Sequence, residues 1–290
     1  MLMESPAMVL VLIFSYFPMI GIILAFKDFK YDLGMLKSPW AGFRNFEFFF
    51  TSQDAWMITR NTIFLNMLFI FTGLFFSVVF ALLMYEIKKK YLVKGYQSIM
   101  ILPSFLSWVV VGYMSYALFN PDLGLINRTF EKFGVQPVSW YSEPSFWPLI
   151  LVVVSLWKGV GLNSIIYYAT LLNINPEYYE AAKIDGATKW QMARRISIPF
   201  LIPVMTILTI LAIGGIIRSD FGLFYNLTRD VAALYSTTDV IDTYVYRALR
   251  KAGDIGMSSA VGLYQSFVGF VLIVVTNTIV RKIEKDNSIF

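Results

Sequence analysis

The amino-acid sequence predicts an all-α membrane protein that crosses the bilayer six times, organised as a single transmembrane domain over residues 1–290. Three observations carry this prediction. The chain is 57% hydrophobic and only 15% charged, whereas soluble domains devote about a quarter of their residues to charge. Its mean hydropathy is +0.63. Six stretches, at about 7–26, 61–85, 96–119, 147–171, 198–217 and 257–280, reach the roughly 20 mostly apolar residues that a spanning helix requires.

Composition also excludes functions. With no Cys and no His, a disulfide framework, thiolate metal sites, the commonest metal ligand and the usual general base are all missing. No GxxxxGK[ST] phosphate loop, HExxH or GxSxG occurs, and no paired carboxylates lie within the spans, which argues against a membrane-embedded enzyme. The net charge of +5 reads as orienting cations at loop ends rather than as a nucleic-acid surface.

Taken in order, the first span follows a start without a basic leader and runs on without an A-x-A cleavage site, so it reads as an uncleaved anchor. The loop of about 27–60 is aromatic and of mixed charge, and the next, EIKKKYLVKG, is short and basic. The loop 120–146 contains NRT at Asn127, and NLT follows at Asn226; these match the glycosylation pattern, which means nothing outside a eukaryotic secretory context. Lys and Arg number eleven on one side and twelve on the other. They are denser in the short loops at 86–95 and 173–197, which places those loops and both termini in the cytoplasm. The loop 218–256 holds an amphipathic segment from about Asp239 to Lys251, suited either to the headgroup plane or to a partner.

The fourth loop, about 173–198, is punctuated unlike its neighbours. Asn175 is a good N-cap, Pro176 fits the first helical position, and Glu177 and Glu180 favour the positive end of a helix. Gly186 stands where a left-handed residue would close it. Thr188 and Gln191 then have capping-box spacing and open a basic helix carrying Arg194 and Arg195. Pro199 and Pro203 follow at the entry to the fifth span, where neighbouring helices can satisfy the freed carbonyls. A helix of about ten residues is roughly 15 Å long and spans nothing. Physics alone leaves it either docking in a partner's groove or resting as a capped interfacial helix.

Glu180-Ala181-Ala182, three residues, Gly186, nine residues, Ile196, one residue, and Ile198-Pro199 resembles the EAA signature of binding-protein-dependent ABC importer permeases. The family prefers Leu at the place of Ile198. LPSFLSWVVVGY, WKGVGLNSIIYYATLLNINPEYYEAAKIDGA and DVIDTYVYR extend the resemblance over essentially the whole chain, toward the oligosaccharide and polysaccharide permeases. The start departs from that branch in lacking a basic cytoplasmic tail. The resemblance implies a type I ABC importer permease fold with a cytoplasmic coupling helix between the fourth and fifth spans. It implies Glu180, Ala181, Ala182, Gly186, Ile196 and Pro199 as the coupling surface. It further implies a second homologous permease in a heterodimer, two copies of a cytoplasmic ATPase that bind ATP and Mg, and an external solute-binding protein. The setting it implies is a bacterial cytoplasmic membrane, with no cofactor in this chain.

Ionisable groups inside spans are functional candidates by default. Lys158, with Trp157 and Asn163 in the fourth span and Gln265 in the sixth, forms a candidate substrate pathway of cation, aromatic ring and amides. The competing readings are a bond from Lys158 to a neighbouring span, interfacial anchoring by Trp157, and helix–helix hydrogen bonding by the amides. The alternative function, an ion-coupled secondary transporter acting without an ATPase, would call for intramembrane carboxylates, and none lies deep in the six stretches.

Overall fold

The structure, a computed structural model, describes residues 5–283. Those residues are helical, with no strand among them beyond one isolated bridge between Lys27 and Trp40. The chain ends, and Lys285 with them, lie outside the described residues.

Helix α1 (Met8–Phe26) leads by an outer loop into α2 (Gln53–Tyr85), which Ser52 caps by accepting the Ala55 N–H. Helix α2 begins about eight residues before its apolar core because Gln53, Asp54 and Arg60 extend it into polar surroundings. The third hydrophobic stretch is not one helix. It is α3 (Lys90–Phe105) and α4 (Trp108–Phe119), meeting at 96°. Pro103 tightens the last turn of α3, Leu106 is extended, and Ser107 restarts the helix by accepting the Val110 N–H. Five helices are therefore straight candidates for a span, and a sixth crossing is a bent pair.

Next come α5 (Trp147–Leu172), the short α6 (Pro176–Ile184) and α7 (Lys189–Gly214). Helix α7 absorbs Pro199 through one wide turn at Ala193–Ser197, and carries Pro203 internally. Two short helices, α8 (Phe221–Thr228) and α9 (Ile241–Arg247), precede the last long one, α10 (Ile255–Ile283).

Helices α2 and α5 form the central pair, α1 and α7 flank α10, and α4 packs on α8. One apolar cluster, around Leu171, Tyr179, Met192 and Leu201, joins the α5–α7 region at one pole. A second, around Trp140, Trp147, Phe224 and Leu234, builds a cap at the opposite pole. Backbone carbonyls of that cap are tied to α2 by side-chain amides. Asn61 donates to the Asp239 carbonyl at 3.1 Å and Asn66 to the Ile216 carbonyl at 2.8 Å, while Thr62 accepts the Ile241 N–H at 3.0 Å. Asn127 is also a bolt of this cap: it is buried, donates to the Pro121 and Val138 carbonyls, and accepts from Trp140.

The bent pair is seated on α5 by a close backbone approach. A Cβ at Gly161 would lie 1.9 Å from the Met100 carbonyl oxygen, so Gly161→Ala must push α3 away and is expected to cost about 1–3 kcal/mol. Two residues earlier, a Cβ at Gly159 would meet nothing within 4 Å, and Gly159→Ala should be neutral or stabilising because alanine is the better helix former. Thermal unfolding of the two variants in detergent checks this, and equal melting temperatures would contradict it.

Candidate functional site

The fourth loop sits at the same pole as the basic second loop, joined to it by an ion pair between Lys189 and Glu86 at 2.7 Å. Its local structure follows from its caps. The Asn175 side chain accepts the Glu177 N–H at 3.1 Å, with Pro176 as the first helical residue. After Ile184 the chain turns through Gly186 at φ +76°, a conformation nearly free for glycine and costly for residues with a Cβ. Thr188 and Gln191 then exchange capping bonds, the Gln191 N–H to the Thr188 hydroxyl and the Thr188 N–H to the Gln191 side chain.

Helix α6 has two unlike faces. Tyr179 is buried, its hydroxyl lies 2.9 Å from that of Ser197, and its ring packs on Tyr85 at 5.5 Å. Ala182 and Ile196 pack against the same cluster. The other face carries Glu180, Ala181 and Ile184, all exposed, with Ile184 at 87%. Glu180 and Ile184 are four residues apart and so lie side by side. Glu180 makes no ion pair among the described residues. Pro199 is exposed just beyond, at the entry to the long part of α7. A rigid helix is thus bolted by one face to the spans and offers an acid and a bare aliphatic on the other. Sequence reasoning passed over Tyr179 and Ile184; the signal available was an aromatic and an aliphatic placed on opposite faces of so short a helix.

The four pathway candidates are not gathered in one place. Lys158 donates to the Ser104 carbonyl at 2.9 Å, and its ammonium lies 5.1 Å from the centre of the Trp108 ring. It therefore sits at the bend between α3 and α4, where broken helix leaves a carbonyl without an intrahelical donor. Such backbone is tolerated at membrane depth only where it is buried in protein or lines a water-filled cavity, and here Lys158 satisfies it. Trp157 lines an apolar crevice of about 400 Å³ with Phe80, Met100 and Pro103. Asn163 is exposed and borders a separate cavity of about 240 Å³ with Ser77, Tyr167 and Thr209. The buried Ser77 hydroxyl has no hydrogen-bond partner among the described residues, so polar capacity remains open beside that cavity. Gln265 is 7% exposed and donates to the Ile217 carbonyl at 2.9 Å and to Asp242 at 3.4 Å. Burial raises the Asp242 carboxyl above its usual range, against the lowering effect of the Ser219 N–H and Gln265.

At that opposite pole the segment after α8 is held by a buried ionic knot. Arg247 donates to Asp230 at 2.8 Å and to Asp239, and its guanidinium lies 4.1 Å from the centre of the Tyr235 ring. Burial pulls the Arg247 pKa down, but the bonds and charge of Asp239, then Tyr235 and Asp230, more than restore it and hold the guanidinium charged. Helix α9 is accordingly part of the cap, with Ile241 and Thr243 buried.

Comparison with known proteins agrees with this arrangement. Two proteins of Bacillus subtilis (strain 168) are similar over 288 residues each. Protein LplB is 33% identical, covering 98% of this chain and 89% of its own. A polygalacturonan/rhamnogalacturonan transport system permease protein, YteP, is 34% identical, covering 98% and 88%. Among solved structures, a bacterial ABC transporter involved in the import of the acidic polysaccharide alginate superposes with a TM-score of 0.88 at 32% identity, covering 97% of this chain and 94% of that one. The same kind of transporter in complex with an alginate pentasaccharide-bound periplasmic protein gives 0.87 at 31% identity, covering 98% and 94%. The family described as binding-protein-dependent transport system inner membrane component matches residues 73–286. With a short capped helix bolted between spans and whole-length similarity to permeases of this type, the chain belongs to that family of importer permease subunits.

Proposed function

We propose that this permease subunit carries an oligosaccharide or a fragment of a polysaccharide inward by alternating access, driven through α6 by a separate ATPase. The carrying observation is the two-faced α6: Tyr179 fixes it to the spans while Glu180, Ala181 and Ile184 are left open. Any displacement of the open face is passed to the spans, because Tyr179 meets Ser197 of α7 and the Tyr85 ring of α2 and shares a buried cluster with Leu171 of α5. Glu180, Ala181, Ala182, Gly186, Ile196 and Pro199 make up this coupling surface, some by contact and Gly186 by the turn. ATP and Mg belong to the partner ATPase, present in two copies. A second homologous permease completes the pathway, and an external binding protein delivers the saccharide to the pole opposite α6. In this arrangement the α6 pole and both termini are cytoplasmic. The saccharide class is supported by the relatives' transport of polygalacturonan, rhamnogalacturonan and alginate.

Gentle purification of the tagged protein from its native membranes, with identification of what accompanies it, tests the reading. An ATPase and a second permease should come with it and be lost from the variant carrying Glu180→Lys and Gly186→Pro. A chain that emerges alone and moves solute without ATP would sink the coupling assignment.

A further inference from the structure

We infer that the pocket between α4 and α8, at the pole opposite α6, is a subsite for an acidic saccharide, with Arg229 taking the carboxylate and Tyr113 and Tyr225 facing the sugar rings. This rests on the saccharide-import reading above and adds a charge selectivity to it. The pocket has a volume of about 320 Å³ and is lined by Val109, Gly112, Tyr113, Tyr225, Asn226 and Arg229. That lies near the lower end of small-molecule sites and suits a short length of saccharide chain better than a folded peptide.

Each polar group is positioned with capacity to spare. Arg229 is exposed, its guanidinium stacks 4.0 Å from the centre of the Tyr116 ring, and it makes no ion pair among the described residues. Its neighbour Asp230, the nearest carboxylate in sequence, is already engaged by Arg247 at 2.8 Å and Tyr235 at 2.8 Å. Arg229 and Asp230 have φ of +56° and +51°, an uncommon conformation for residues other than glycine, and such positions cluster at ligand sites. A guanidinium held over an aromatic ring keeps its donor fork, which matches a carboxylate in bidentate fashion.

The aromatic wall is equally fixed. Tyr225 stacks on Phe221 at 5.0 Å with 19° between the rings, and Tyr246 meets it edge-on at 5.1 Å. Asn226 donates to the Gly222 carbonyl at 2.8 Å, which leaves its amide oxygen to accept from a hydroxyl. Flat apolar rings for the sugar's C–H face, an acceptor for its hydroxyls and an unpaired fork for its carboxylate are together the chemistry of a uronic acid unit. Lys158 does not supply this selectivity, because its ammonium is engaged by Ser104 and Trp108.

The test uses the purified importer complex without its binding protein, and equilibrium dialysis of radiolabelled trigalacturonate against its fully methyl-esterified, uncharged counterpart. The acid should bind about tenfold more tightly or better, Arg229→Gln should erase the gap, and Arg229→Lys, which keeps the charge but not the fork, should keep only part of it. Should Arg229→Gln lower the melting temperature, salt decides on the wild type: the gap must shrink as ionic strength rises. Equal binding of both sugars by the wild type, or a gap that survives Arg229→Gln, overturns the subsite. So does a surviving gap with collapse of binding-protein-stimulated ATP hydrolysis, which would assign Arg229 to a carboxylate of the binding protein. ATP-driven uptake in proteoliposomes, with the binding protein restored, separates the two levels. Uptake of both trisaccharides with no charge preference in binding removes only the acidic subsite. Failure to take up any saccharide removes the import reading as well.

Discussion

Ile184→Glu is expected to cut ATP-driven uptake by about 30-fold or more while leaving the permease folded in the membrane. Ile184 ends α6 with 87% of its surface exposed, so within this subunit it contributes almost no packing and a charge there meets only solvent. Beside Glu180 it forms the open face, and a bare aliphatic in that position acts only once something covers it. Covering a new carboxylate without a partner removes about 2 kcal/mol or more from an interface anchor, which is the stated factor by the usual conversion. Ile184→Leu preserves the apolar contact and should keep uptake within a few-fold. Reconstituted uptake, ATPase co-purification and thermal unfolding are to be measured together. Wild-type uptake by Ile184→Glu would show that the ATPase does not use this face. A fall in melting temperature as large as the fall in uptake would show that Ile184 serves the fold instead.

What could be seen in the sequence was local. Asn175, Pro176, Gly186 and the Thr188–Gln191 pair take the cap and turn positions that their chemistry prefers, because each of those bonds closes within a few residues. Apolar runs of sufficient length located the long helices for the same reason. The bend between α3 and α4 was hidden because Ile101, Leu102, Phe105 and Leu106 are as apolar as any spanning residue, and a hydropathy average does not register that Pro103 and Ser107 stop and restart the helix. Partners distant in the chain were hidden altogether. Lys158 stood out as a charge in an apolar run, yet the carbonyl it binds is Ser104, 54 residues away. Gln265 stood out similarly, and its partners Ile217 and Asp242 are on another segment. A polar residue in a span announces that it needs a partner; only the packed chain says whether the partner is protein or an open cavity, as it is beside Asn163.

Arg247→Met should destabilise the cap opposite α6 more than any substitution of an exposed cation on the chain. The Arg247 side chain is 12% exposed and stands between Asp239 at 4% and Asp230 at 16%. Removing one partner of a buried ionic pair costs about 3–5 kcal/mol, because the charge left behind has neither water nor counter-ion. Here two carboxylates lose the cation they share, and among the described residues only Lys251, 3.8 Å from Asp230, is left to compensate. For a chain of this size the loss corresponds to roughly 10 °C in melting temperature. The same substitution at Arg250, which is exposed, should change it little. The physical cause has its own signature: if stranded carboxylates are the damage, adding Asp239→Asn to Arg247→Met must recover much of the lost stability. No recovery would mean that Arg247 acts through its packing on Tyr235, and Arg247→Lys, which keeps the charge but not the planar guanidinium, would then be as damaging as Arg247→Met.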